Sequence, residues 1–176
     1  MSRIQGNAAR CPKQIAARNH LHITLTITTT DEALARSLEP RAPCPELRFA
    51  ALRQLAEAAL SRGISIAPLL PMINDSQASM EAVAQAAKTA GVTSISGGLL
   101  FLKPTTRMVF LPWLEANFPH LLPPYLERYA SGAFLRGDYS DFIRKRMEGV
   151  RKRFDFQEDP RMHRHALDES QLKLFS

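Results

Sequence analysis

The sequence predicts an α/β fold, part of a larger parallel (β/α) barrel followed by C-terminal helices. Three observations lead there. Residues 23–28 alternate Ile23, Leu25 and Ile27 with Thr24, Thr26 and Thr28, a period of two in β-branched residues that marks a strand. From Leu21 to Leu102 the pattern runs strand, helix, strand, helix, strand. Helices long enough to cross back over a sheet make right-handed parallel connections the expected topology.

The elements follow in order. Residues 1–12 are polar and patternless, and Lys13 to Arg18 reads as the last turns of a helix whose beginning is missing. After the first strand, Asp31 is placed to cap a short helix carrying Leu34 and Leu38, which Pro40 ends. Three prolines between Glu39 and Pro45 stiffen the next loop, and Pro45 suits the first position of a helix running to about Ser61, with Gly63 as its C′ residue. Phe49, Leu52, Ala56 and Leu60 form its apolar stripe. Ile64 to Leu70 is a short apolar strand, bracketed at its end by Pro68 and Pro71.

Asn74, Asp75 and Ser76 cluster where a third helix needs its cap; Met80, Val83, Ala84 and Ala87 share one face, and Gly91 stops it. Val92 to Leu102 is the third strand, loosened at Gly97-Gly98. Beyond Pro104 the pattern becomes helical over 106–118, 123–129 and 139–154, where Ile143, Met147, Val150 and Phe154 repeat as a docking face. Trp113, with Phe110 and Phe118, reads as core. The chain thus divides into an irregular segment (1–12), the partial barrel (13–104), a helical extension (105–156) and a flexible tail (157–176), with a short terminal helix around Leu172.

Composition narrows the function classes. With 176 residues, 45% apolar and 23% charged, the chain can build a core; no apolar stretch suits a membrane span and Met1 to Arg10 lacks a signal-peptide centre, so the cytoplasm is expected. Cys11 and Cys44 are expected to be plain thiols, too few for a disulfide framework or a Cys-rich metal site. The net charge of +6 favours acidic partners. Between Arg136 and Arg153, seven basic residues stand against three acidic ones, net +4, so the last helix offers a basic face to nucleic acid or to solvent. His163 and His165 would need further ligands to hold a metal, and His20 and His22 flank the start of a strand. No nucleophile–base pair, phosphate loop or paired-carboxylate pattern stands out.

In a parallel barrel, sites form at the carboxyl ends of the strands. Alternation turns Ile23, Leu25, Ile27, Ile64 and Ile66 toward the helices and Thr24, Thr26, Thr28, Ser65 and Ala67 toward the interior. The stretches TTTDEALARSLEPRAP (residues 28–43) and APLLPMIND (residues 67–75), at their spacing, resemble the radical S-adenosylmethionine proteins related to spore photoproduct lyase. The similarity runs from roughly Lys13 to Phe154 and corresponds to the later half of a family member.

That resemblance implies the later units of a six-unit barrel in which a [4Fe–4S] cluster binds S-adenosylmethionine and reduces it to a 5′-deoxyadenosyl radical. In the family the cluster hangs on a Cys-x-x-x-Cys-x-x-Cys loop, three thiolates leaving the fourth iron open. This sequence has no such loop, since Cys11 and Cys44 are 33 residues apart. By the same resemblance, Thr26 and Thr28 match hydroxyls beside the cofactor's ribose and amino-acid portion. Asn74 and Asp75 match its adenine edge. Arg41 and Arg48 match an Arg pair flanking the Pro-rich loop, placed to meet a carboxylate or to brace the loop through Glu39. Cys44 stands where the family has a Ser-type cap, and Ala59 where a Gly ends the helix.

The expected function is therefore the C-terminal part of a radical S-adenosylmethionine protein, catalytically silent alone. A separate chain or segment would supply the missing half barrel. The alternative is a non-enzymatic half barrel that binds nucleic acid or a partner through Arg144–Arg153.

Overall fold

In the computed structural model, which describes Ile15 and residues 21–157, β1 (His22–Thr26), β2 (Ser61–Leu69) and β3 (Ser94–Leu99) form one parallel sheet in the order β1-β2-β3. Between β1 and β2 run α1 (Glu32–Leu38) and α2 (Pro45–Glu57), and between β2 and β3 runs α3 (Gln77–Thr89). After β3 come α4 (Pro104–Asn117), a 3-10 turn (Pro119–Leu121), α5 (Leu122–Arg128) and α6 (Asp138–Arg153). The expectations for residues 1–12, for the helix end around Lys13–Arg18 and for the terminal helix around Leu172 lie outside the described residues.

Local chemistry explains the helix starts. The Asp31 carboxylate accepts from Leu34 N at 3.0 Å and the Ser76 hydroxyl from Ser79 N at 3.1 Å, each satisfying a first-turn donor. Cys44 gives α2 no side-chain cap, and Pro45 supplies the preset backbone angle at the first position instead.

The helix ends correct one expectation. Residue 63 does not stop α2, which finishes at Glu57; Ala59 takes the left-handed conformation (φ 56°), and β2 begins at Ser61. Leu60 N donates to Leu55 O and Ala59 N to Ala56 O, the paired bonds of a Schellman cap. The same two bonds close α3 around Gly91 (φ 72°) and α6 around Asp155 (φ 49°). A Cβ in that region costs about 1–2 kcal/mol, part of which glycine returns through its floppier unfolded chain. Ala59→Gly is therefore expected to stabilise the protein by roughly 0.5–1 kcal/mol, read as a higher urea midpoint. An unchanged or lower midpoint would show that the Ala59 backbone carries no strain.

Three helices, α2, α3 and α6, cover one face of the sheet. Ile27, Ile64, Ile66 and Ile95 pack with Phe49 and Leu52 of α2, with Met80, Val83, Ala84 and Ala87 of α3, and with Ile143, Met147 and Val150 of α6. The expected stripes of α3 and α6 are thus the buried ones, with Phe154 half-buried at the end of the latter. Each fully buried aliphatic side chain contributes about 1.5–3 kcal/mol. Gly97 belongs to this face: a Cβ there would lie 2.7 Å from Met147 Cε and 3.2 Å from Leu69 Cδ1, so its bareness lets α6 reach the sheet.

A second apolar cluster lies past the carboxyl ends of β2 and β3. Leu70, Leu100 and Leu102 meet Phe110 and Leu114 of α4 and Tyr125 and Tyr129 of the α5 region. Of the three aromatics expected in the core, Phe110 is buried while Trp113 and Phe118 are half-buried at its margin, and Trp113 Nε1 donates to Ser37 Oγ at 2.9 Å, tying α4 to α1. β3 is shorter than the expected strand because Leu100 and Leu102 leave the sheet to enter this cluster. Among the described residues no helix is long and apolar enough to cross a membrane.

Candidate functional site

Strand register puts His22, Thr24 and Thr26 of β1, Ser61, Gly63, Ser65 and Ala67 of β2, and Ser94, Ser96 and Gly98 of β3 on the face opposite the helices. Nothing larger than histidine occupies it. His22 spans the three strands, its Nδ1 2.7 Å from Ser61 Oγ and its Nε2 3.2 Å from Ser94 Oγ. Gly63 lies beneath: a Cβ there would come within 2.5 Å of Ser94 Oγ and 2.8 Å of His22 Nε2, so that close arrangement requires glycine. Farther along, Ser96 Oγ donates to Ile64 O at 3.4 Å. Thr24 Oγ1 is buried with no hydrogen-bond partner among the described residues. A buried hydroxyl in that condition costs about 1–3 kcal/mol, which a polar ligand atom would offset.

At the carboxyl end of the strands, each residue expected at the cofactor has a defined place. Thr26 is exposed and Thr28 is buried, both on the side away from the helices. Asn74, 1% exposed, accepts from Leu70 N at 2.6 Å and donates to Thr28 O at 2.9 Å and Pro68 O at 3.2 Å. It therefore ties the end of β1 to the turn after β2. The Asp75 carboxylate accepts from Met72 N at 2.9 Å and from the Tyr139 hydroxyl, while Arg146 donates to its backbone carbonyl. Burial, and then the bonded Asp75 carboxylate, push the Tyr139 phenol well above its ordinary range, so it stays a donor.

The arginines divide. Arg48 donates to Thr26 O at 2.6 Å, to Pro43 O at 2.9 Å and to Glu39 Oε2 at 2.8 Å, so it braces the Pro-rich loop through Glu39. Arg41 is exposed and does not join it in that contact. The structure thus gathers Thr26, Thr28, Arg48 and Asn74 at one end of the sheet, with Asp75 turned toward α6.

A [4Fe–4S] cluster does not fit the described residues. Cys44, half-buried, is the one cysteine among them, and among them no three metal-ligating side chains converge. Cys11, His20, His163 and His165 lie outside the described residues. The hydroxyl-lined face instead carries an unmatched Thr24 Oγ1, the exposed Thr26 and small neighbouring side chains.

Sequence reasoning missed the bridge from His22 to Ser61 and Ser94. The signal available was the alternation Ser61, Gly63, Ser65 and Ser94, Ser96, Gly98, which is the same period of two that marked β1. It also missed Tyr139 and Arg146, which reach Asp75 across 64 and 71 residues of chain.

No family model matches the sequence, and no solved structure matches it. Uncharacterized proteins of Mycobacterium tuberculosis and Mycobacterium bovis are each 28% identical to it over 152 residues, covering 86% of this chain and 44% of the relative. An uncharacterized protein of Acidianus two-tailed virus is 29% identical over 86 residues, 47% of this chain and 29% of its own length. The chain spans less than half the length of the curated relatives it matches.

Proposed function

We propose that this chain is the later part of a radical S-adenosylmethionine protein of the spore photoproduct lyase-like group, working in the cytoplasm and holding the cofactor side of a barrel whose cluster is bound elsewhere. One observation carries the reading: strands in sequential parallel order have both α2 and α3 on one face, and the other face is polar and small. One-sided crossovers are common to a barrel and to half of a doubly wound sheet. A doubly wound sheet, however, is covered by helices on both faces and is apolar on both, whereas a barrel keeps its helices outside and its site within, so the small polar face favours the barrel. The long family-like stretches 28–43 and 67–75 fall at the two turns where that interior would open.

In this reading Thr24, Thr26 and Thr28 present hydroxyls to the ribose and amino-acid portion of S-adenosylmethionine. Asn74 holds their strand end in place, and Asp75, anchored by Tyr139, fixes the turn at the adenine edge. Arg48 sets the loop around the opening, and Arg41 remains exposed for a carboxylate. Bound cofactor would supply a cleavable sulfonium, but its reduction requires a cluster for which these residues have no ligands. The partner implied is a chain or segment bearing the first three units, joined along the edge of β1 that pairs with no strand among the described residues.

Anaerobic iron–sulfur reconstitution of the 176-residue chain is expected to leave no stable stoichiometric cluster and no cofactor cleavage. Titration with S-adenosylmethionine, followed by amide chemical shifts, is expected to move Thr24, Thr26 and Ser65 before any helix residue. A stable active cluster on this chain, or shifts confined to the helices, overturns the reading.

A further inference from the structure

Beyond Ser94, which bridges to Gln157, the outer edge of β3 has no strand beside it among the described residues. There a cavity of about 250 Å³ opens between that edge and α6. One stripe of α6 lines it, Ser140, Arg144, Met147 and Arg151 at i, i+4, i+7 and i+11, facing Ser96 and Gly98. Leu69, Leu99 and Ile143 make the floor apolar, and among the described residues no acidic side chain lines it.

Arg151 is the informative residue. The residue is half-buried and its guanidinium has no partner among the described residues, while the other arginines of the helix are engaged. Arg146 bonds the Asp75 carbonyl and Arg153 bonds Glu81 at 2.5 Å. Arg144 pairs with Asp141 in an exposed contact of the kind worth little, so it can turn to a ligand. A partly desolvated cation without a counter-charge is costly, and an anion relieves that cost. Gly98 adds a second argument: a Cβ there would meet nothing within 4 Å, so neighbouring side chains do not require a glycine, and its absence of a side chain leaves the strand backbone open to approach.

We infer that this cavity binds a phosphate-bearing ligand, with Arg144 and Arg151 on the phosphate and an apolar body over Leu69 and Met147. Paired guanidiniums suit phosphate through their forked donors. The site lies at the sheet edge and does not depend on what fills the hydroxyl face. A free nucleotide and a nucleic-acid strand offer the same chemistry, and the test separates them.

Inorganic phosphate, a nucleoside monophosphate and a short single-stranded DNA are titrated into the 176-residue chain by calorimetry. The monophosphate is expected to bind more tightly than inorganic phosphate, and Arg151→Gln to weaken it at least about tenfold. Arg136→Gln, at an exposed arginine outside the cavity, is expected to change nothing. If DNA alone binds and Arg151→Gln abolishes it, the phosphate is that of a nucleic acid. If none of the three binds, or if Arg144→Gln and Arg151→Gln both bind as the parent does, the inference fails. Because the Arg151 guanidinium bonds nothing among the described residues and is partly desolvated, its loss is expected to leave the melting temperature of the free protein the same or higher, which separates lost binding from lost folding.

Discussion

Asn74→Ala is expected to destabilise the protein by about 3–5 kcal/mol, read as a lower urea midpoint. The side chain is 1% exposed and makes three hydrogen bonds. Its removal leaves Leu70 N–H and the carbonyls of Thr28 and Pro68 facing a space that no other described side chain fills. Each buried group left unpaired costs about 1–3 kcal/mol, and the three share one cavity, so the total falls short of their sum. Asn74→Asp keeps the acceptor for Leu70 N–H but aims a carboxylate at two carbonyls, and is expected to be worse. These variants also separate two roles for Asn74. A residue that only met the cofactor would melt normally as alanine and lose affinity alone, so a normal melt would overturn the strut derived from its contacts.

The second large effect is alkaline. Burial raises the phenols of Tyr125 and Tyr129 well above the ordinary value of 10.0, as it does for Tyr139. Tyr125 donates to Pro71 O and Tyr129 to Leu100 O, both at 2.8 Å, so ionisation would remove the donor as well as bury a charge. The sign follows from which state ionises first. The unfolded chain releases these protons near pH 10 while the folded chain keeps them, so the stability is whole below that pH and falls as pH rises above it. For Tyr125, the most deeply buried, the slope is about 1.4 kcal/mol per pH unit. Urea unfolding between pH 9 and 11 is expected to show this loss, and Tyr125→Phe to flatten it while lowering the plateau by about 1–3 kcal/mol for the Pro71 carbonyl left unpaired. A stability independent of pH across that range would contradict the burial of all three.

The features legible in the sequence were those decided within a few residues. Asp31, Ser76 and Pro45 start their helices by contacts no more than three residues away, and the stripe Met80, Val83, Ala84, Ala87 follows from the helical period. The end of α2 was misread because Gly63 is the nearest glycine, whereas the left-handed turn fell to Ala59 and the glycine was needed under His22 in the sheet. The division of the candidate site was partly legible: alternation assigned Thr24 and Thr26 to one face. What Asn74 and Asp75 do there was not, because Asn74 meets Thr28 across 46 residues and Asp75 meets Tyr139 across 64. Such contacts depend on how the helices pack, which no spacing in the chain encodes.

The Arg48 contact with Thr26 O limits what can join the sheet. Ile27 N donates to Ser65 O, so odd-numbered residues of β1 address β2, and Thr24 and Thr26 turn their peptide groups to the open side. The last of those carbonyls is already occupied by a guanidinium that is also paired with Glu39. An incoming strand that runs along this edge toward the carboxyl end therefore meets an obstruction at Thr26. A longer overlap must first displace Arg48. The joint is thereby limited at its carboxyl end by a side chain from a helix, so a partner strand is selected by where it ends.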